Sequence, residues 1–258
     1  MQNGLTPIVR NLLLINLIVY LIEILMQIRF SDLFALYYFE SPYFAPWQLI
    51  TYLFVHANFN HLFGNMLTLF FLGPLLESIF GSRRFLAFYM VCGMGAGIFN
   101  YSVIYLEMQL QKQAIIVYEK NPSENGFMSY MRTFEPEEYK KNADILNEYI
   151  ESSDIKGTVE IVKMRFQNKV ENQRVIGASG AVFGIILGAF LLFPNLQIYL
   201  FFIPFPIKLG YVAGLLMIFD FYNLLKLGGN SQVAHLAHLG GALIAFILIK
   251  YWKIPRQF

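Results

Sequence analysis

The sequence predicts an all-α, polytopic membrane protein, and three observations carry that reading. Apolar residues make up 57% of the chain, charged residues 14%, and the mean hydropathy is +0.50, whereas soluble domains are roughly 45–50% apolar. Six apolar segments approach or reach the roughly 20 residues of one crossing: about 8–28, 60–80, 84–106, 177–194, 209–227 and 233–252. More than half of the charge lies in one stretch, residues 107–174, with ten Lys/Arg and twelve Asp/Glu. The expected organisation is therefore spans one to three in 1–106, a soluble insert in 107–174, and spans four to six in 175–258.

The first segment places Arg10 ahead of an apolar run from Leu12 to Ile28. It has neither the short core nor the small-residue cleavage site of a signal peptide, so it reads as an uncleaved helix. Residues 30–59 are apolar but broken by Pro42 and Pro46; they read as interfacial, with Tyr37, Tyr38, Tyr43, Phe44 and Trp47 forming an aromatic belt. Within the insert, Glu107–Glu119 continues the third span. Further helices are expected at Glu135–Ser152, with Pro136 in its first turn, and at Val159–Gln173. Gly180, Gly184 and Gly188 recur every four residues in span four, a ridge for close helix contact. Residues 195–208 form a tight connection, because Pro204 and Pro206 forbid continuous helix.

If the spans alternate, Arg10, Arg83, Arg84, Lys208, Lys250, Lys253 and Arg256 fall on one side, and the opposite short loops hold only Arg29 and Lys226. The positive-inside rule then puts both termini in the cytoplasm, as in a bacterial inner membrane protein, and the insert outside. A net charge of +2 without a basic, aromatic-interleaved cluster excludes nucleic acid as a partner. The single cysteine, Cys92, excludes an internal disulfide and a thiolate metal set. No cofactor is implied.

Under this topology the heads of spans two, four and six all lie toward the outer leaflet, and each carries a polar group. Span four opens on Gly177-Ala178-Ser179-Gly180. A serine at a helix start has free N–H groups beside it, suited to holding the oxyanion of a tetrahedral intermediate. Taken alone, it reads first as one more small residue of the glycine ridge. Span six opens on His235 and His238, three apart on one helix face. An intramembrane imidazole is by default a functional residue, with an interhelical hydrogen bond as the structural alternative. A serine attacks a peptide carbonyl only if a base accepts its proton, and these histidines provide one. They also permit a shared metal ion, with His56 or His61 as third ligand, but no intramembrane carboxylate accompanies them as in the metalloprotease helix motif. Span two opens on His56, His61 and Asn65. The last two sit one helical turn apart and suit an oxyanion site, while His56 reads more naturally as a polar clamp. The carboxylates in or beside spans are Glu23, Glu77 and Asp220. None lies near the other candidates, so a Ser–His dyad is expected rather than a triad.

The set His56-x4-His61-x3-Asn65, Gly177-x-Ser179-Gly180 and Ala234-His235 followed by Leu-Gly-Gly resembles the rhomboid intramembrane serine proteases. Leu72-Gly73, Glu77 and Phe80-Gly81 resemble that family's second-helix ending. The resemblance spans all six segments but not the insert. It implies a six-helix bundle that hydrolyses transmembrane protein substrates, with Ser179 as nucleophile and His235 as general base. His61, Asn65 and the Ser179 N–H correspond to oxyanion stabilisers, Gly177 to a close-approach glycine, and Glu77 to a structural hydrogen-bonding residue. Phe183 stands where some members have a tyrosine stacking on the catalytic histidine. Gln48 follows Trp47 where arginine is common, and Ala242 sits where a packing glycine is frequent. His238 is an adjacent supporting candidate, and the insert is placed to gate substrate entry or to dock an extracytoplasmic partner.

Overall fold

The computed structural model describes residues 5–141, 155–193, 195–199, 205–226 and 232–256. The described elements are α1 (Pro7–Met26), α2 (Ser31–Phe34), β1 (Leu36–Tyr37), α3 (Gln48–Thr51), α4 (Phe59–Phe80), α5 (Ser82–Lys120), α6 (Glu124–Phe134), α7 (Ile155–Asn172), β2 (Arg174–Val175), α8 (Ser179–Leu192), β3 (Gln197–Ile198), β4 (Ile207–Lys208), α9 (Leu209–Lys226) and α10 (Gln232–Trp252). Residues 136–141 are also helical; the rest of the helix expected at Glu135–Ser152 lies outside the described residues. Four helices, α1, α4, α5 and α10, are long and apolar enough to cross a membrane, and α8 and Leu209–Phe219 are shorter apolar helices. The chain is a multi-pass membrane protein.

Helix α8 is apolar all round, and a helix of that kind belongs in the interior. It is walled by α4, α5 and α10. Its glycine ridge lets them in. A Cβ on Gly180 would lie 2.4 Å from the Ala96 Cβ, one on Gly184 2.9 Å from Cys92, and one on Gly188 3.1 Å from Leu76. The tightest point is Gly241 of α10, where an added Cβ would stand 1.9 Å from the Gly180 carbonyl oxygen. Gly241 is thus the close-contact glycine where α10 meets α8, and Ala242 beside it is buried.

Glu77 joins the opposite end of the bundle. Its Oε1 accepts from the Ile8 N–H (3.1 Å) and the Ser82 hydroxyl (2.7 Å), and its Oε2 from the Val9 N–H (3.0 Å). The first N–H groups of a helix lack partners within it, and a carboxylate there also meets the positive end of the dipole. Glu77 is therefore the N-terminal cap of α1, supplied from α4.

The boundary expected at 106/107 falls inside a continuous helix. At 1.5 Å per residue α5 is about 58 Å long, against roughly 30 Å of bilayer hydrocarbon, so its C-terminal half extends past the apolar core. Helices α6 and α7 pack on that half through Ile115, Tyr118, Phe127, Tyr130, Met131 and Val162. Lys169–Glu107 (2.8 Å) and Lys163–Glu119 (2.5 Å) align α7 antiparallel to α5. Val170 and Phe166 of α7 then join Leu36, Tyr38, Tyr52 and Met108 in a second core. There the interfacial loop and the chain leaving α7 pair as antiparallel strands, Leu36 opposite Val175 and Tyr37 opposite Arg174. The tight connection after α8 is likewise a short antiparallel pair, β3 with β4.

Candidate active site

Ser179 begins α8, preceded by Ala178 at the cap position and by Gly177 at φ +109°. Gly177 donates its N–H to the Tyr52 carbonyl (2.8 Å), and the first intrahelical bond of α8 runs from the Val182 N–H to the Ala178 carbonyl (2.9 Å). The N–H groups of Ser179, Gly180 and Ala181 precede that bond, at the positive end of the helix dipole.

His61 lies in the first turn of α4, which Asn58 caps by accepting the His61 N–H at 2.9 Å. Its ring nitrogen Nδ1 accepts from the Ala57 N–H at 3.4 Å. An accepting nitrogen carries no proton, so in neutral His61 the donor is Nε2. That nitrogen packs on Gly177: a Cβ there would lie 2.6 Å from Nε2 and 2.5 Å from Cε1. Only glycine tolerates both that approach and the positive φ. One turn further, Asn65 is 6% exposed, and its Nδ2 has no acceptor among the described residues. A free amide donor and a directed imidazole N–H therefore share one face of α4. His56, in the loop before α4, is 3% exposed and meets the His61 ring edge-on at 5.1 Å. Burial, reinforced by neighbouring His61, pushes its imidazole down to about 3.

On α10 the two histidines have different surroundings. Ala237, Gly241 and Ala245 form a buried stripe, and the Ala237 carbonyl lies against Gly180, 3.3 Å from a Cβ placed there. His238 directly flanks that stripe, while His235 sits roughly 60° further round the helix. The Phe183 ring of α8 stacks on His238 with centroids 4.1 Å apart and planes within 5°. His238 also lies within electrostatic reach of His61. His235 meets His238 edge-on at 6.2 Å. The expected pairing of Phe183 with a base at His235 is thus replaced by Phe183 on His238.

Glu23 ends its own helix by accepting the Phe30 N–H (3.1 Å), and the Asp220 side chain lies outside the described residues. Among the described residues no three of His, Cys, Asp and Glu converge as a metal site. Two residues outside the candidate set, Tyr52 and the Gln48 noted above only as a departure, hold the segments around the site. Tyr52 accepts from Gly177 and donates its own hydroxyl to the Gly93 carbonyl (2.6 Å). Gln48 is buried; it accepts from the Tyr37 and Ala45 N–H groups and donates to the Tyr43 and Leu33 carbonyls, fixing the interfacial loop. Their signal in the sequence was a polar group inside an apolar stretch.

Fold and site define a polytopic helical membrane protein whose serine, histidines and asparagine gather at the N-terminal ends of α4, α8 and α10. The chain belongs to the rhomboid family: the Rhomboid domain matches residues 44–111 and 158–253. It is 28% identical over 201 residues to the mitochondrial RHOMBOID-like protein 12 of Arabidopsis thaliana, covering 77% of this chain and 44% of that protein. The chloroplastic Rhomboid-like protein 11 of the same plant is 34% identical over 94 residues, 36% of this chain and 32% of that one. A Bacillus subtilis protein named as a candidate rhomboid protease is 40% identical over 55 residues, 21% of this chain and 28% of that one. The chain spans less than half the length of each of these relatives. They belong to organelles as well as to a bacterium, so the expected bacterial inner membrane is not singled out. The family match pauses at 112–157, within the expected insert.

Proposed function

We propose that this protein is an intramembrane serine endopeptidase that cleaves transmembrane protein substrates within a bundle of six spans. Both termini lie on the basic side of the bilayer and Ser179 toward the opposite leaflet. The observation that carries the reading is the contact of the His61 Nε2 with Gly177, two residues before Ser179. It aims a proton donor at the mouth of the helix on which the serine sits.

In this reading the Ser179 Oγ attacks the scissile carbonyl while His238 accepts its proton as general base. The His61 Nε2–H, the Asn65 amide and the Ser179 N–H receive the oxyanion, each donor contributing roughly 10²–10³ in rate. Collapse of the intermediate returns the proton to the leaving amine, and water then hydrolyses the acyl-enzyme, with His238 again as base. The choice of His238 over His235 departs from the motif resemblance. It is supported by Phe183, the residue expected to stack on the catalytic histidine, and by the approach of Ala237 to Gly180. A substrate helix must unwind locally, since a regular helix engages its own carbonyls.

The test is cleavage of a model transmembrane substrate by the purified protein. Activity is expected to survive a chelator and His235→Ala and to vanish in Ser179→Ala and His238→Ala. Activity in folded Ser179→Ala refutes the serine mechanism, and loss with chelator favours a metal shared by the histidines. An active His238→Ala beside a dead His235→Ala restores His235 as base. No cleavage of any substrate by the folded wild type favours a catalytically silent binder of membrane clients.

A further inference from the structure

A groove of about 340 Å³ opens between the interfacial loop and α5, within the ~300–1,000 Å³ range of small-ligand sites. Ile98, Ser102 and Tyr105 of α5 form one wall; Leu36, Tyr37 and Leu49 form the other. Two of the polar groups on these walls are already engaged: the Ser102 hydroxyl donates back to the Ile98 carbonyl (2.8 Å), and the Tyr37 hydroxyl accepts from Arg174 (2.6 Å). Apart from the Tyr105 hydroxyl, the side chains left to a ligand present mostly hydrocarbon. Apolar walls of this kind suit an alkyl chain lying along the groove.

Charge marks its Tyr37 edge. The Arg174 guanidinium lies 5.5 Å from the Tyr37 ring centroid and pairs with Asp32 (2.8 Å), whose other oxygen pairs with Arg29 (3.2 Å). Two guanidiniums thus share one carboxylate, +2 − 1 = +1. All three side chains are partly or largely exposed, and ion pairs of this kind are weak enough for a phosphate to compete.

We propose that this groove is a glycerophospholipid site, with one acyl chain between α5 and the interfacial loop and the phosphate on Arg174 and Arg29. The site rests on the membrane location of the chain and not on its peptidase chemistry.

The experiment uses the full chain, delipidated in detergent and titrated with dioleoyl phosphatidylethanolamine, with retained lipid counted by native mass spectrometry. One tightly held lipid per chain is expected, its affinity falling about tenfold or more in Ser102→Trp, which fills the groove, and in Arg174→Gln. Equal retention by wild type and folded Ser102→Trp overturns the groove assignment. Equal binding by Arg174→Gln, with oleyl alcohol competing as well as the phospholipid, overturns the phosphate contact. Complete displacement by excess inorganic phosphate overturns acyl recognition, and displacement by a transmembrane peptide marks a peptide track instead. Should Ser102→Trp fail to fold, a lipid carrying a photoreactive acyl chain decides with the wild type. Cross-links are expected within 36–49 and 98–105, and their absence there refutes the site.

Discussion

Gly177→Ala tests the geometry of the site most directly. A methyl at this position meets the His61 Cε1 at 2.5 Å and its Nε2 at 2.6 Å, whereas favourable contacts begin near ~3.5 Å. The ring must therefore retreat by about 1 Å. Its anchors permit that, being a long bond from the Ala57 N–H and an edge contact with His56. Misplacing a catalytic group by ~1 Å costs about 10²-fold in rate, or roughly 2.7 kcal/mol of barrier. Separately, φ +109° is strained for any residue with a Cβ, at about 1–3 kcal/mol of stability. The expected result is kcat/KM lowered about 100-fold, mainly through kcat because the donor acts on the transition state, together with a lowered melting temperature. Gly64→Ala is the control: it lies on α4, the helix that carries His61, and a Cβ there meets nothing within 4 Å. Both variants are assayed for substrate cleavage and thermal unfolding in detergent. A Gly177→Ala protein that melts earlier yet cleaves at the wild-type rate would show that the His61 contact serves the fold alone.

Three further predictions follow from the same geometry. Glu77→Ala leaves the Ile8 and Val9 N–H groups without their acceptor; at about 1–3 kcal/mol per orphaned donor the loss is roughly 2–6 kcal/mol, read by thermal unfolding, and a wild-type midpoint refutes the cap. An unfolded histidine titrates near 6.5, while buried His56 takes its proton only near pH 3. The unfolded chain therefore binds more protons between those values. Its contribution to stability is complete above about 6.5 and declines as the pH falls toward 3, by at most ~1.4 kcal/mol per unit. His56→Phe should flatten the melting temperature between about pH 7 and 5, and an unchanged slope would place the acid sensitivity elsewhere. Replacing residues 108–172 with a short linker removes buried Met108 and Val170 from the second core, an expected cost of roughly 3–6 kcal/mol; an unaltered melting curve would show that α7 is dispensable to the fold.

Apolar runs and proline positions were enough to read most of the helical order, because in lipid a segment must satisfy its own backbone and few choices remain. The continuation of the third span past residue 106 was legible from its helical pattern, and the fold of α7 from the run at 159–173. Helix α6 was missed: Phe127, Tyr130 and Met131 are interleaved with Ser, Asn and Gly, and only the Ser123 cap bonding the Gly126 N–H marks its start. The shortness of α8 was equally hidden, since residues 177 and 178 are as apolar as the helix but are held by the loop instead. The identity of the base is the instructive case. His235 and His238 share one turn at the head of one helix, and what favours His238 in the proposed mechanism is its side toward α8, where the Phe183 ring stacks on it. Gln48 shows what a departure from the family pattern can do. It stands where relatives commonly carry arginine, yet its amide fixes four backbone groups of the loop, which a purely donating side chain could not do.

The position of the serine depends on polar contacts outside the apolar bundle. Packing alone fixes α8 only to the extent that glycines let its neighbours approach, and a smooth ridge resists sliding along the helix axis weakly. The segment before Ser179 removes that freedom. Gln173 accepts the Tyr38 N–H (2.9 Å), the Glu171 carbonyl accepts the Ser41 hydroxyl (2.7 Å), β2 pairs with β1, and Gly177 bonds to Tyr52. Tyr101 of α5 bonds to the Leu36 carbonyl and so ties the same strand to the longest helix. The interfacial loop is in turn fixed by Gln48. Ser179 is thus tied to the loop as well as to the bundle, where α9 and α10 also contact α8. In the proposed mechanism the oxyanion donors therefore sit on the part tied to the loop, α4 and the head of α8, whereas the proposed base is carried by α10. Substitutions in the loop should disturb oxyanion geometry, and those at Phe183 or Gly241 should disturb the approach of His238.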